Sequence, residues 1–246
     1  MVVIFDLDDT LTDTMASLSV ARDKVIRHFG HTPTTAALER WQHASHFFDS
    51  EDFPHVLPLV MPGLAGRQID VDEIRQLYWA WEIDNLTLKA GAADVLLGLA
   101  ARGIEMALVT NGPRAKQERK VQRLALETYM SRGAVVYADG VHVPRKPSPA
   151  PIREALRLTG GADPAAAFYV GDGMSDVVAA HLAGVASVLV KSPSLVMDPP
   201  TSSSALAIET PLHTIDRLAE LLAIVDQGQA GLATSRQAGR ISASAS

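Results

Sequence analysis

Met1-Val-Val-Ile-Phe-Asp6-Leu-Asp8-Asp-Thr10-Leu-Thr-Asp-Thr14 opens the chain. Val2 to Phe5 form a short apolar run that suits a fully buried strand, although a buried helical turn gives the same pattern. Asp6, Asp8 and Asp9 follow at once. Carboxylates are rarely buried unpaired, so the strand must end where they begin. In a parallel sheet that end is the carboxyl edge, where open α/β folds place their ligands. Along an extended backbone Asp6 and Asp8 fall on one side. Two like charges held that close need compensation, and a hard cation such as Mg²⁺, which takes oxygen ligands, supplies it. The alternative is an acidic turn after an edge strand.

Working outward, residues 15–88 read as helical. Ala16, Leu18, Val20 to Val25 and Phe29 recur at helical spacing, Gly30 is a stop, and Asp72 to Ile83 is a second helical stretch. All three tryptophans, Trp41, Trp79 and Trp81, lie here. From Ala90 helices and strands alternate. Strands are expected at Ile104–Val109, Ala134–Tyr137, Ala166–Val170 and Val185–Val190, and helices at Ala92–Arg102, Pro113–Leu126, Pro149–Leu158, to Ala183 and over Pro211–Val225. Repeated βα units imply a doubly wound, Rossmann-like parallel sheet with right-handed crossovers. The expected organisation is an α/β core of residues 1–14 and 89–226, an inserted α-helical cap of residues 15–88, and a tail, 227–246, too small and polar to bury a core and therefore disordered.

The 246 residues are 47% apolar, enough for a sizeable core, with a formal net charge of −6 and a pI near 5.7. That balance, with no Lys/Arg run, argues against nucleic acid as a partner. No cysteine is present, which excludes disulfides, thiolate catalysis and Cys-ligated zinc. No apolar run is long enough to span a bilayer and no signal-like segment opens the chain, so a cytoplasmic location is the default expectation.

Polar residues stand at successive strand ends: Asp6 and Asp8, Thr110 and Asn111, Lys146 just after a strand, and Asp172 with Asp176. They fit phosphoryl transfer through an aspartyl phosphate. A dianionic phosphate needs positive charge and donors, which Mg²⁺, Lys146 and the Thr110 hydroxyl provide, with Asn111 a further candidate at the same strand end. Asp6 and Asp172 offer oxygens to the metal, and Asp8 can deliver a proton to the leaving alkoxide.

These motifs resemble the haloacid dehalogenase superfamily of phosphohydrolases: Asp6-Leu-Asp8-Asp-Thr10, Val109-Thr110-Asn111-Gly112, Lys146-Pro147, and Gly171-Asp172 through Asp176. The resemblance implies Asp6 as nucleophile and Asp8 as general acid/base. It implies Thr110 and Lys146 as phosphate ligands, and Mg²⁺ held by Asp6, the Asp8 backbone carbonyl and Asp172. Asp176 is placed just outside the metal's ligands or on a metal-bound water. The insert resembles the family's C1-type helical cap. It leaves beside the nucleophile loop and returns at Ala90, which makes it a candidate lid that selects the leaving group. Ala90-Gly91-Ala92 departs from the family's frequent Pro-Gly-Ala.

The resulting expectation is a Mg²⁺-dependent phosphatase acting on a small phosphorylated metabolite. A phosphomutase or a dehalogenase on the same fold, and a non-enzymatic module phosphorylated on Asp, are the alternatives. Asp8 speaks against the dehalogenase, because halide needs no protonation. Three further readings follow from local pattern. His43, His46 and Asp49 have metal-ligand spacing but read as a solvated or cap-core face. Asp13 reads as a helix cap. Lys120 and Arg123 read as a solvated face of the helix after Thr110.

Overall fold

The computed structural model describes residues 1–30, 32–39, 70–191 and 210–230. Two compact units emerge: Met1–Thr12 with Leu88–Ser246, and Asp13–Thr87. The first unit is built on a six-stranded parallel sheet: β1 (Val2–Phe5), β2 (Glu105–Asn111), β3 (Val135–Ala138), β4 (Ala167–Gly171), β5 (Ala186–Val190) and β6 (His213–Ile215). The spatial order is β3-β2-β1-β4-β5-β6. Sequence direction reverses between β1 and β4, and that is where such sheets open a crevice beyond their carboxyl ends.

The period-2 alternation of strand side chains divides the core into two layers. Val3, Phe5, Met106, Leu108, Phe168, Val170, Val188 and Val190 face one side, packed with Val95, Leu96 and Leu99 of the helix Ala92–Ala101 and with Leu221 and Val225. Val2, Ile4, Ala107, Val109, Ala167 and Tyr169 face the other. They meet Ile152, Ala155 and Leu156 of the helix Ala150–Leu158, and Ala179, Ala180 and Ala183 of the helix Met174–Ala183. Helices on both faces are what near-continuous apolar strands require. Parity along β1 also decides the site: Asp6 continues the Val2–Ile4 side, and Thr110 continues the Met106–Leu108 side.

Differences from the sequence expectation cluster at the C-terminal end. Residues 211–217 are not helical, because His213–Ile215 pairs with β5, bringing Ile215 opposite Val190 and burying it. β-Branched Thr214 and Ile215 favour that extended edge. A helix then spans residues 221–230 and so runs past residue 226. Its last turn lies against Phe168 and Met1, where Gly228 sits within contact distance of both. The helix expected to reach Leu126 ends at Arg123, followed by Ala125 at positive φ.

The second unit contains the helices Thr14–His28 and Val71–Asp84 and a helical segment at 35–39. Asp13 caps the first of these, accepting from the Ala16 N–H at 3.3 Å. Ala21, Val25, Ile26, Ile74, Tyr78, Trp79 and Ile83 form its core. Trp41, His43, His46, Phe47, Phe48 and Asp49 lie outside the described residues. No helix among the described residues is long and apolar enough to cross a membrane.

Gly184 ends the helix Met174–Ala183 at φ +75, and the Val185 N–H folds back to the Ala180 carbonyl at 2.9 Å. A Cβ there meets nothing closer than Pro164 at 3.8 Å, so the glycine is required by its left-handed backbone and not by space. Gly184→Ala should therefore lower unfolding free energy by about 1 kcal/mol, and Gly184→Asn by less, as read from urea denaturation. An equal loss for both variants would contradict this account.

Candidate active site

Asp6 follows directly from the central strand β1, and its N–H donates to the Val170 carbonyl at 2.8 Å. Its carboxylate is buried. Lys146 Nζ meets Asp6 Oδ1 at 2.5 Å and Asp176 Oδ1 at 2.7 Å, and donates to the Tyr169 hydroxyl at 2.9 Å. The Thr10 hydroxyl lies 3.5 Å from Asp6 Oδ2. Asp176 belongs to the first turn of its helix, where Oδ2 accepts the Gly173 N–H at 3.0 Å. The Lys146 ammonium, the Thr10 hydroxyl and the Gly173 N–H all face carboxylate oxygens, as a buried charge cluster requires.

Lys146 sits on an irregular loop and is fixed from β2. The Lys146 N–H donates to Asn111 Oδ1 at 2.9 Å, and Asn111 Nδ2 donates to the Lys146 carbonyl at 3.1 Å. Both ends of the Asn111 amide are thus spent on holding the lysine's backbone. The structure places Asn111 beside the site as a clamp on Lys146.

Asp8 takes a separate set of partners. Lys120 Nζ donates to its Oδ1 at 2.7 Å and Gln117 Nε2 to its Oδ2 at 2.7 Å. Gln117 Nε2 also lies 2.9 Å from Thr110 Oγ1 and 2.7 Å from the Asn111 carbonyl. The solvated reading of Lys120 is corrected: it is 1% exposed, whereas Arg123 is exposed. The signal was in the sequence. Gln117, Lys120 and Val121 share the i, i+3, i+4 stripe that a helix turns to its core, and all three are buried. Polar residues on a core stripe call for buried partners. Tyr169 was also missed, because Ala-Phe-Tyr-Val-Gly reads simply as an apolar strand.

The electrostatics follow from burial. Desolvation, opposed by Lys146 and reinforced by Asp176 and Asp8, pushes the Asp6 carboxyl up to about 8. Burial, with Asp176 and Asp9 nearby, raises Asp172 to about 6. Burial alone would lower the Lys146 ammonium, but Asp6, Tyr169 and Asp176 hold it well above its ordinary value, so it remains charged. Asp6, Asp172 and Asp176 bring carboxylate oxygens within 4.8 Å of one another. Asp6 and Asp176 share Lys146, and Asp172 lies near Asp176 and Asp9; burial first, and these neighbouring carboxylates second, raise Asp6 and Asp172 and mark an excess of negative charge. An all-oxygen donor set with that imbalance fits a hard divalent cation. Both Asp176 oxygens already accept at short range, from Lys146 and from the Gly173 N–H, whereas Asp6 Oδ2 has the Thr10 hydroxyl at 3.5 Å, which makes Asp6 and Asp172 the better candidates for direct ligands.

The haloacid dehalogenase-like hydrolase family model matches residues 1–184. The chain is 31% identical over 238 residues to "Phosphoglycolate phosphatase 1" of Pseudomonas aeruginosa, covering 92% of this chain and 79% of the relative. It is 31% identical over 216 residues to a phosphoglycolate phosphatase of Rhodospirillum rubrum, covering 84% and 85%. Among solved structures, a HAD family hydrolase from Deinococcus radiodurans superposes with a TM-score of 0.67 at 20% identity, covering 93% of this chain and 96% of that one.

The raised carboxylates make metal-free stability depend on pH. Each proton is held more tightly in the folded than in the unfolded chain, where Asp titrates near 4. The contribution is therefore full below about 4 and lost as pH rises through about 6 for Asp172 and about 8 for Asp6. In EDTA the melting temperature should fall between pH 5 and pH 8.5. Added Mg²⁺ should raise it more at pH 8.5 than at pH 5. A metal-free melting temperature that rises across this window would overturn the electrostatic account.

Proposed function

Because the chain belongs to the haloacid dehalogenase-like hydrolases, we propose that it is a Mg²⁺-dependent phosphatase that cleaves a small phosphate monoester through an aspartyl phosphate on Asp6. The observation that carries this reading is the buried Asp6 carboxylate at the end of the central strand, 2.5 Å from a lysine that Asp6, Tyr169 and Asp176 keep charged against its burial.

The residues divide the work as follows. An Asp6 oxygen attacks phosphorus. The ester P–O bond breaks, its electron pair stays on the departing oxygen, and Asp8 gives that oxygen a proton. In the second half Asp8 takes a proton from the water that attacks the aspartyl phosphate, releasing inorganic phosphate and Asp6. Lys146 faces the non-bridging oxygens. Thr110 Oγ1 accepts from Gln117, which leaves its own O–H to donate to a phosphate oxygen. Asn111 keeps Lys146 in place. Asp6, Asp172 and the Asp8 backbone carbonyl would hold Mg²⁺, with Asp176 behind them. When bound, the ion neutralises phosphate charge and keeps Asp6 ionised.

Phosphoglycolate is the first ester to test, since it is named for the relatives at 31% identity. Selection among esters is proposed for the helical insert, residues 15–88, because the roles given to the core motifs end at the phosphoryl group and the departing oxygen. A dehalogenase reading has less support, since Asp8 has no task in releasing halide. A phospho-Asp signalling module would not turn over.

Three expected results follow. Wild-type protein should hydrolyse p-nitrophenyl phosphate steadily, and excess EDTA should abolish this until Mg²⁺ is restored. Within a panel of phosphoglycolate, glucose 6-phosphate and adenosine 5′-monophosphate, phosphoglycolate should give the highest kcat/KM. Asp6→Asn should remove turnover while retaining the wild-type circular dichroism spectrum. Sustained hydrolysis by Asp6→Asn, or full activity in EDTA, would refute the nucleophile or the metal respectively.

A further inference from the structure

Gln117 and Lys120 have no part in the motifs that define the site, yet both oxygens of Asp8 end on them. We propose that these two side chains are positioning residues that hold the Asp8 carboxyl in the orientation needed for proton exchange with the leaving group. The proposal rests on the reading of Asp8 as general acid/base. A carboxylate offers about four lone-pair directions, so one bond to each oxygen fixes the plane of the group without exhausting its acceptors.

The local structure is arranged for this. The helix Arg114–Arg123 begins just after β2, and its buried stripe is Gln117, Lys120 and Val121. Val121 joins the apolar layer, so the helix has an apolar anchor of its own. The Gln117 stem crosses Gly112, where a Cβ would stand 3.1 Å from Nε2 and 3.3 Å from the amide carbon. With φ at +139 and no side chain, Gly112 lets that amide reach Asp8, Thr110 and the Asn111 carbonyl together. One glutamine thus ties the acid/base to the hydroxyl proposed to bind phosphate, and one lysine closes the other oxygen. A buried ion pair is weak evidence for a purely structural role, because apolar replacement of similar volume is often neutral for stability. The cost of losing this grip should therefore fall on geometry, where a displacement of about 1 Å takes about 100-fold from a reaction.

Gln117→Met keeps the length of the side chain and Lys120→Met shortens it by one atom, both remove the donors, and Lys120→Arg restores a donor. Each variant is assayed with p-nitrophenyl phosphate, whose phenolate leaves without protonation. It is also assayed with whichever of phosphoglycolate, glucose 6-phosphate and adenosine 5′-monophosphate the wild type turns over fastest. The methionine variants should lose about 10- to 100-fold in kcat/KM on the alkyl ester, part of the 10²–10⁴-fold that a general acid contributes; kcat/KM reports phosphorylation alone, whereas hydrolysis of the aspartyl phosphate is common to all esters. The loss in kcat/KM on p-nitrophenyl phosphate should stay under about 3-fold for Lys120→Met, Gln117→Met, which also releases Thr110, should lose more on the alkyl than on the aryl ester, and Lys120→Arg should recover most of the alkyl rate. In an Asp8→Asn background Lys120→Met should add nothing further, since the two act through one group.

Equal losses on aryl and alkyl esters, or full additivity with Asp8→Asn, would overturn the positioning role. A methionine variant that fails to fold at both positions would also overturn it, by showing a structural requirement. Wild-type protein inactive on every ester would overturn both this inference and the phosphatase reading. An active wild type with an Asp8→Asn profile selective for alkyl esters, but unselective lysine and glutamine variants, would refute the inference alone.

Discussion

Lys146 is the constraint on which the site depends. It is a buried ammonium in contact with Asp6, Asp176 and the Tyr169 hydroxyl. Remove it and two buried carboxylates lose their cation, a change that costs about 3–5 kcal/mol in comparable pairs. The fold supplies what a lone lysine on a loop cannot. Asn111 grips its backbone from β2, Tyr169 rises to it from β4, and Asp176 is set by the Gly173 N–H at a helix start. Three elements distant in sequence meet at one ammonium because parallel strands end along one edge.

The alternation of β1 sorts the remaining chemistry by side. Asp6 continues the layer that holds Tyr169, and so meets Lys146 and Asp176. Thr110 continues the opposite layer, and so meets the buried face of the helix after β2. Asp8, beyond the strand, is drawn to that second side by Gln117 and Lys120. The two acids of Asp6-Leu-Asp8 therefore have different partners although they stand two residues apart, which is the separation that the proposed division between nucleophile and proton carrier requires. The loop between them and the insert is pinned as well: Thr12 bridges Leu88, the Lys89 N–H donates to the Leu11 carbonyl at 2.8 Å, and Lys89 Nζ donates to the Asp9 carbonyl. The two points where the core chain departs and returns are therefore held together within the core itself.

Much of this was legible in the sequence because each strand is a short apolar run ended by a polar residue that has no place in the core. Val2–Phe5 followed by Asp6 is the clearest instance, and Gly171-Asp172 after Ala167–Val170 is another. What escaped was polar chemistry carried by residues inside apolar or charged patterns. Tyr169 hides in a strand. Lys120 hides in Arg-Ala-Lys-Gln-Glu-Arg-Lys-Val-Gln-Arg, a run whose charge suggests solvent, while its spacing with Val121 points inward. Hydrophobicity alone misassigns such a lysine, and only the helical period places it. His213–Ile215 was hidden for a different reason: three residues suffice for an edge strand when β5 supplies the register.

The central claim is that Asp6 carries the phosphoryl group. Acid quenching during steady turnover, borohydride reduction and peptide mass spectrometry test it directly, because reduction converts an aspartyl phosphate to homoserine and leaves free aspartate untouched. The account predicts substrate-dependent homoserine at position 6 and at no other acidic residue. Reduction at a different carboxylate, or steady hydrolysis with position 6 unlabelled throughout, would contradict it.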